Sequence, residues 1–353
     1  MRLIHFLLLP LSFCYGLLMM VRNKLYDIGL FRSASFDIPI ICVGNLSAGG
    51  TGKTPHIEYL IRLLKDRFMV ATLSRGYGRD SSGYLVASKC SNYKYIGDEP
   101  MQLIKKFPDI KVAVDAKREH GIRSLVSKNP GLNVILLDDA FQHRSVKPGL
   151  SILLTDYRHL YTEDHVLPSG MLREFPSGAK RADIIIVTKT PKVFSPITRR
   201  RIIEELKPTP RQHLFFSYIR YCDPVAAFDY PIPFQHRYSY IIIFSGIADD
   251  EPLSEHLERK CTELVRMKFR DHHPYTLDDV LSIQKKYDDL PTQKKAIVTT
   301  EKDLMRLRSP EFTQILKTLP IFYIPIVMEF HGADGEQFDK TVLTYLETSS
   351  KGH

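Results

Sequence analysis

The sequence lacks the cysteine spacing of a zinc knuckle or a redox dithiol. Its five cysteines form no CxxC pair; they are Cys14, Cys42, Cys90, Cys222 and Cys261. An odd, scattered set is typical of a reducing compartment, where cysteine behaves as a small buried hydrophobe. No internal repeat or low-complexity tract is visible, and 44% apolar with 25% charged residues indicates a globular chain.

A signal-peptide cleavage site is also missing. The apolar run "LIHFLLLPLSFCYGLLMM" (3–20) is followed by "VRNK", which offers no small residue for cleavage. The run is just short of the roughly 20 apolar residues of a spanning helix, and it contains His5 and Pro10. Arg22, Lys24 and Arg32 favour a helix lying on an acidic membrane surface, while a spanning anchor and a buried core helix stay open.

An aromatic-basic motif of the RNA-binding type is absent as well. The net charge of +9 over 353 residues predicts an anionic partner, which could be a nucleotide, a nucleic acid or an acidic membrane. We rank nucleic-acid binding last for lack of that motif, and no obligate protein partner is evident. The length predicts one large domain or two unequal domains.

The stretch "SAGGTGKT" (47–54) follows a predicted strand, precedes a predicted helix, and is a Walker A motif with Ser47 in place of the first glycine. Its glycines let backbone N–H groups cradle phosphate oxygens, and the helix N-terminus adds positive charge. We expect Lys53 on the β- and γ-phosphates of ATP and Thr54 on Mg²⁺. The expected ATP-binding residues are Ser47, Ala48, Gly49, Gly50, Thr51, Gly52, Lys53 and Thr54.

Alternating strands and helices predict a mostly parallel sheet covered on both faces. The predicted strands lie at 38–44, 68–74, 109–115, 133–140, 150–156 and 182–189 and, beyond a proline-bearing stretch, at 238–249, 294–303 and 320–330. We therefore predict a P-loop NTPase of RecA-like α/β fold with a second, smaller α/β domain. The expected boundaries are 1–32 (membrane-associated helix), 33–222 (P-loop domain) and 223–353 (smaller domain), with linker strands near 223–237 and 320–330.

Two acids, Asp138 and Asp139, end the predicted strand in "ILLDDA". One of them is expected to hold Mg²⁺, directly or through water, and the sequence does not decide which. A guanine-binding N-K-x-D loop is missing, since "VTKTP" (187–191) lacks both the Asn and the Asp. ATP is therefore favoured over GTP.

Two further motifs contain candidate proton acceptors. In "YIGDEP" (95–100) a loop bounded by Gly and Pro can aim Asp98 and Glu99 at one site, although such a stretch can also be a plain turn. In "FRDHHPY" (269–275) a histidine paired with an acid can act as a base. The alternative is a solvated His pair, and no Cys/His cluster favours a metal there.

Five arginines lie near predicted strand ends, the binding edge of an open α/β sheet, and together favour a polyanionic substrate. They are Arg75, Arg79, Arg118, Arg144 and Arg173.

Taken together, these motifs resemble the tetraacyldisaccharide 4′-kinase family of lipid A biosynthesis. The resemblance runs in order through "VGNLSAGGTGKTP", "SRGYG", "GDEP", "LLDDAFQHR", "LPSGMLRE", "DHH" and "TTEKD", and Ser47 is normal for that family. It implies a membrane-associated kinase at the cytoplasmic face of the inner membrane. That kinase moves the γ-phosphate of ATP to the 4′-hydroxyl of tetraacyldisaccharide 1-phosphate, giving lipid IV-A.

The resemblance also implies a paired base in which Asp98, backed by His272, takes the proton of the attacking hydroxyl. His273 is the neighbour most readily confused with His272. Because His272 lies in the smaller domain, domain closure is expected to assemble the site. The other expected catalytic residues are Lys53, Asp138, Asp139 and Arg173. The expected metal ligands are Thr54, Asp138, Asp139 and Glu99. The expected substrate-binding residues are Arg75, Tyr77, Arg118, Gln142 and His143. The rival interpretation is a soluble P-loop ATPase or GTPase acting as a switch or metallochaperone, which leaves the apolar N-terminus unexplained.

Overall fold

The larger of two sheets contains nine strands in the residues that the structure, a computed structural model, describes (2–88, 90–228 and 230–350). Neighbouring strands are parallel except at the two edges. There, Leu85–Val86 runs antiparallel to Lys111–Val114, and Ile326–Phe330 runs antiparallel to His213–Tyr221. The strands are β1 (Ile40–Asn45), β2 (Val70–Ser74), β3 (Leu85–Val86), β4 (Lys111–Val114), β5 (Val134–Asp138), β6 (Leu150–Asp156), β7 (Ile184–Thr188), β8 (His213–Tyr221) and β14 (Ile326–Phe330), ordered β14-β8-β7-β6-β1-β5-β2-β4-β3. The central strands are apolar and buried throughout because helices cover both faces.

The smaller sheet is ordered β11-β10-β12-β13-β9 and is parallel except for β9. Its strands are β9 (Val225–Ala226), β10 (Tyr238–Ser245), β11 (Cys261–Lys268), β12 (Lys295–Thr299) and β13 (Ile321–Tyr323). The strand order reverses between β10 and β12, and a crevice outside the carboxyl ends of such strands is the usual binding place of an open α/β sheet.

The helices of the described chain connect and cover these strands. They are α1 (Arg2–Asp27), α2 (Lys53–Leu64), α3 (Tyr93–Ile96), α4 (Asp98–Lys106), α5 (Arg118–Lys128), α6 (Pro196–Leu206), α7 (Glu251–Glu258), α8 (Leu277–Asp288), α9 (Glu301–Arg306), α10 (Pro310–Leu316) and α11 (Asp334–Ser350), with a 3-10 turn at Pro176–Arg181. In α2 the apolar positions Ile57, Leu60, Ile61 and Leu64 are buried, as their helical spacing predicts.

The end of the chain differs from the expected placement in the smaller domain. The predicted strand at 320–330 is two strands, with Pro325 between them, and they belong to different sheets. β14 pairs with β8, and α11 buries Phe338 while the Tyr59 hydroxyl donates to Asp339 at 2.9 Å. Residues 326–350 therefore pack on the larger sheet, because α11 covers apolar surface there.

Three strands were not predicted, and the shortest of them is β3, with two residues. β8 lies inside the proline-bearing stretch that was interpreted as a domain junction. β11 is an edge strand whose exposed charged residues, including Glu263 and Arg266, interrupt the apolar pattern.

Helix α1 is longer than the apolar run that predicted it. Its C-terminal half is held to the larger domain, where Asn23 donates to Glu174 at 2.6 Å and Arg22 to the Gln142 carbonyl at 3.1 Å. Phe13 and Leu18 are each 64% exposed, so the buried-core alternative is wrong. No helix within the described residues combines the length and the apolarity needed to cross a membrane.

Candidate active site

The phosphate loop lies where β1 enters α2, at the carboxyl end of the central strand. Gly49 and Gly52 have φ angles of 130° and 84°, conformations that side chains rarely adopt. The loop is fixed at Thr51, whose hydroxyl accepts from Asn45 at 2.8 Å and whose carbonyl accepts from Thr188 at 2.9 Å. These contacts hold the backbone in the shape of a phosphate cradle.

A histidine that no sequence motif marks contacts the phosphate loop. His56 is buried, with Nδ1 2.7 Å from the Gly52 carbonyl and Nε2 3.1 Å from the Ser217 hydroxyl. Because a carbonyl only accepts, Nδ1 carries the proton and Nε2 accepts from Ser217. Burial lowers the pKa of His56 to about 4, so the ring is neutral at physiological pH.

Asp139 lies beside the phosphate loop and is bound by two cations. Arg173 binds both of its oxygens, at 2.8 and 3.2 Å, and Lys53 Nζ lies 3.6 Å away. Burial would raise the pKa of Asp139, but the charge of Lys53 and the hydrogen bond from Arg173 outweigh it and lower the pKa. With a φ of 49°, Asp139 turns the chain sharply after β5.

Asp138, at the end of β5, has a different environment. It is 2% exposed, and its Oδ1 is buried without a hydrogen-bond partner among the described residues. Burial, and after it the negative charge of Glu99, raise the pKa of Asp138 to about 7. Asp139 is therefore bound by two cations, whereas Asp138 keeps one carboxylate oxygen without a hydrogen-bond partner.

Glu99 lies near Asp138, on the first turn of α4. Its Oε1 accepts from the Thr54 hydroxyl at 3.3 Å and from Lys302 Nζ at 2.5 Å. Lys302 belongs to "TTEKD", a motif from which the sequence predicts no role for the lysine. The first turn of α9, which follows β12 of the smaller sheet, thus brings a cation onto an acid of α4.

Asp98, on α4, and His272, in the loop after β11 of the smaller sheet, lie next to each other. His272 Nδ1 lies 3.0 Å from Asp98 Oδ2, and His272 has a φ of 57°, an uncommon backbone conformation that often accompanies functional sites. The "GDEP" stretch was expected to be a loop; instead Asp98 and Glu99 begin α4 directly after Gly97. This correction keeps both carboxylates at one site, since they lie on the same helical turn.

A third residue binds the same carboxylate. Arg306 donates to Asp98 Oδ2 through Nη2 at 2.5 Å and Nε at 3.2 Å. Burial alone would raise the pKa of Asp98, but the hydrogen bond with His272 and the charges of Lys302 and Arg306 lower it far below its ordinary range. No local signal marked Arg306, which lies three residues beyond "TTEKD".

His273 points away from this pair. Its Nε2 lies 2.9 Å from Asp279 Oδ2, at the capping box that begins α8. Tyr77, in contrast, is 67% exposed and places its ring centroid 5.0 Å from that of His272. The two adjacent histidines therefore have different partners, and only His272 contacts Asp98.

The remaining residues expected to bind substrate occupy varied positions. Arg75 is exposed, and His143 is half-buried with its pKa lowered to about 4 by burial and then by the charge of Arg118. Arg118 itself is only 1% exposed and donates to the carbonyls of Asp115 and Asp138, so it lies beneath the site and cannot touch a substrate directly.

Three other polar residues from those motifs have structural partners. Gln142 donates to the Asn45 carbonyl at 2.9 Å and to Glu174 at 3.1 Å. Arg144 binds the Asn23 carbonyl at 2.7 Å, so it anchors α1 and does not face the phosphate loop. Arg79 donates to the Gly83 carbonyl at 2.7 Å within its own turn.

Comparison with known proteins identifies the family. The family model described as tetraacyldisaccharide-1-P 4′-kinase matches residues 4–347. The chain belongs to this 4′-kinase family. Relatives named tetraacyldisaccharide 4′-kinase are each 44% identical, from Bacteroides thetaiotaomicron (99% of this chain, 95% of the relative) and Flavobacterium johnsoniae (98% of each). A crystal structure of LpxK from Aquifex aeolicus in complex with ATP aligns with a TM-score of 0.74 at 29% identity, over 97% of this chain and 99% of that one.

Membership in the 4′-kinase family confirms the resemblance that the motifs predicted, together with the α/β P-loop fold. As a 4′-kinase family member the chain is an ATP-dependent kinase, and the rival interpretation as a switch ATPase or metallochaperone is not supported.

In this 4′-kinase family member, ion pairs behind the site link α4 to α2 and to α9. Lys106 on α4 contacts Glu58 on α2 at 2.8 Å and Glu301 on α9 at 3.0 Å. Gln102 also donates to Glu58, at 2.9 Å. This network connects the helix after the phosphate loop to the helix that carries Lys302 and Arg306.

Proposed function

We propose that the chain transfers the γ-phosphate of ATP to the 4′-hydroxyl of tetraacyldisaccharide 1-phosphate and forms lipid IV-A. The observation that carries the proposal is the hydrogen bond between His272 and Asp98, at the side of the phosphate loop where Glu99 meets Thr54. Transfer from ATP to a sugar hydroxyl needs an anchored triphosphate and a proton acceptor close to it.

The phosphate loop and Lys53 would bind and orient the ATP phosphates, with the N-terminus of α2 adding its partial positive charge. Lys53 already lies beside Asp139, which Arg173 neutralises in turn. That pairing keeps the ammonium close to the loop, so it needs only a small movement to reach a phosphate oxygen.

The oxygen donors beside the loop fit Mg²⁺. Asp138 presents a buried, unpartnered carboxylate oxygen, and Glu99 and the Thr54 hydroxyl lie close together. Over the described ranges no group of three or more His, Cys, Asp or Glu side chains could hold a metal ion. When bound, Mg²⁺ would neutralise charge on the transferring phosphate. We assign Asp138, Thr54 and Glu99 to it, and leave Asp139 with Lys53 and Arg173.

We assign His272 as the group that accepts the proton of the attacking hydroxyl. Asp98 is ionised and can only accept, so His272 Nδ1 must donate to it and Nε2 is left as the free acceptor. Asp98 Oδ2 already receives donors from Arg306 and His272, which makes this carboxylate a weak base. Asp98 therefore orients the imidazole and stabilises it once it is protonated, as in other Asp–His pairs.

We assign the lipid substrate to the side of the protein on which α1 lies. The exposed apolar side chains of this helix, among them Phe13 and Leu18, would enter the headgroup region of the cytoplasmic face of the inner membrane. Tyr77 places its ring beside His272, and Tyr77 and Arg75 are the exposed candidates for contact with the disaccharide phosphate.

A phosphate-transfer assay tests this function. Purified protein in detergent would receive γ-labelled ATP, Mg²⁺ and tetraacyldisaccharide 1-phosphate, with Lys53→Ala as the inactive control. A labelled bis-phosphorylated lipid that is absent from the control is the expected result. Hydrolysis of ATP without any labelled lipid would still support the nucleotide site. It would refute tetraacyldisaccharide 1-phosphate as the phosphate acceptor.

A further inference from the structure

We propose that Arg306 is a positioning residue, which fixes the Asp98 carboxylate so that it can orient His272. The inference deepens the proposed function and rests on the assignment of Asp98 and His272 as the paired base. Arg306 belongs to the smaller domain and Asp98 to the larger one, so this contact also sets how the two domains meet at the reacting centre.

Arg306 binds Asp98 through two nitrogens that converge on a single oxygen. Nη2 and Nε lie 2.5 and 3.2 Å from Oδ2, the same oxygen that lies 3.0 Å from His272 Nδ1. The other oxygen, Oδ1, accepts from the Glu99 backbone N–H at 2.9 Å. Both oxygens therefore have fixed donors, and the carboxylate has one orientation in which Oδ2 faces the imidazole.

The guanidinium is itself held by the smaller domain. Its Nη1 donates to the Gly246 carbonyl at 3.0 Å and to Asp303 Oδ1 at 3.1 Å. Asp303 is fully buried and also accepts from the Tyr275 hydroxyl at 3.0 Å and from the Gly246 N–H at 3.1 Å. These contacts hold the arginine independently of Asp98, because the loop after β10, the segment around Tyr275 and α9 all meet at Asp303.

This arrangement uses properties that only arginine combines. The planar guanidinium can serve Asp98 on one side and Asp303 and Gly246 on the other, whereas a lysine ammonium is a point charge that cannot span all three. Arg306 is 2% exposed, so a solvated surface role is excluded. His272 is 29% exposed, and its side chain is the member of the cluster open to a substrate.

The test compares Arg306→Gln and Arg306→Lys with Asp98→Asn in the full-length protein. We expect Arg306→Gln to lower kcat by about 10²-fold, the size expected for a misplaced reacting group, with little change in KM for ATP. Arg306→Lys should recover part of kcat because it keeps the charge on Asp98. Arg266→Gln, which removes an arginine ion pair to Asp250 elsewhere in the same domain, is the matched control and should keep normal kcat.

A double variant separates positioning from a structural role. If Arg306 acts only through Asp98, then Asp98→Asn with Arg306→Gln should be about as slow as Asp98→Asn alone, because the two losses do not add. Losses that multiply, or a normal kcat for Arg306→Gln while Asp98→Asn is slow, would overturn the inference and leave the proposed function intact. A normal kcat for Asp98→Asn would instead refute the paired base, and with it the proposed mechanism. Thermal unfolding of each variant identifies any that fail to fold.

Discussion

His272 Nδ1 lies 3.0 Å from Asp98 Oδ2, although 174 positions of the sequence separate the two residues. The contact joins the loop after β11 in the smaller domain to the first residue of α4 in the larger one. Arg306 and Lys302 bind Asp98 and Glu99 from the same side. The imidazole and its carboxylate are thus already paired, and the site does not depend on domain closure to bring these two residues together.

His272→Ala is expected to lower kcat by roughly 10²- to 10⁴-fold, the usual contribution of a general base. KM for ATP should change little, because the phosphate loop is untouched. Steady-state kinetics of lipid phosphorylation measures both constants. His273→Ala is the matched control, since that ring pairs with Asp279 and leaves the site intact. Near-normal kcat in His272→Ala would remove this histidine from the mechanism.

Asp138→Asn is expected to stabilise the protein at alkaline pH when metal has been removed with EDTA. The folded protein keeps the Asp138 proton up to about pH 7, where its raised pKa lies, whereas the unfolded chain loses it near the ordinary value of 3.8. Stability therefore falls as pH rises through this window, because the folded state binds more protons. The Tm at pH 8 should rise by at least about 2 °C, a shift typical of 1 kcal/mol in a mid-sized domain.

Thermal unfolding of this variant at pH 4 and pH 8 measures the effect. The gain should be much smaller at pH 4, close to the ordinary pKa of 3.8, where the folded state carries the proton and the unfolded chain carries it in part. Asp66→Asn, at a carboxylate 79% exposed, is the control and should behave alike at both values. An equal gain for Asp138→Asn at both pH values would contradict the raised pKa.

Lys302→Met is expected to tighten Mn²⁺ binding to the nucleotide-free protein. Lys302 Nζ lies 2.5 Å from Glu99, so a divalent ion that uses Glu99 competes with this ammonium. Removing the ammonium should raise the Mn²⁺ affinity by about tenfold, equivalent to 1.4 kcal/mol. Electron paramagnetic resonance of free Mn²⁺ measures the affinity, with the exposed Lys317→Met as control. Unchanged or weaker binding would show that Glu99 does not hold the metal.

Replacing Phe13 and Leu18 by serine is expected to weaken binding to anionic phospholipid vesicles by more than about tenfold, since each buried apolar side chain contributes roughly 1.5–3 kcal/mol. Both side chains are 64% exposed on α1, whose C-terminal half is bound to the larger domain. Cosedimentation with vesicles measures the loss. Val193→Ser removes a side chain that is 92% exposed but lies far from α1 in sequence, and it should leave binding unchanged. Equal binding of all three proteins would place the membrane contact elsewhere.

Local patterns in the sequence predicted the parts of the molecule that depend on near neighbours. The strand, glycine loop and helix around Lys53 follow one another within 25 residues or so, and their apolar spacing indicates each element directly. The order of motifs also indicated the 4′-kinase family. Pattern reasoning failed where neighbours are distant: β11 is an edge strand with exposed charges, and β14 returns to the larger sheet after Pro325.

The sequence by itself determined the phosphate loop, the acids that end β5 and the family, because each is encoded in a short run of residues with its own chemistry. The tertiary structure alone decided that Asp139 pairs with Arg173 and that Arg306 and Lys302 belong to the site. It also places His272, which the resemblance had assigned, and not His273 against Asp98. The physical reason is that these contacts join residues that lie far apart in the sequence, several of them between the two sheets. Their partners are selected by how the sheets pack and not by spacing along the chain.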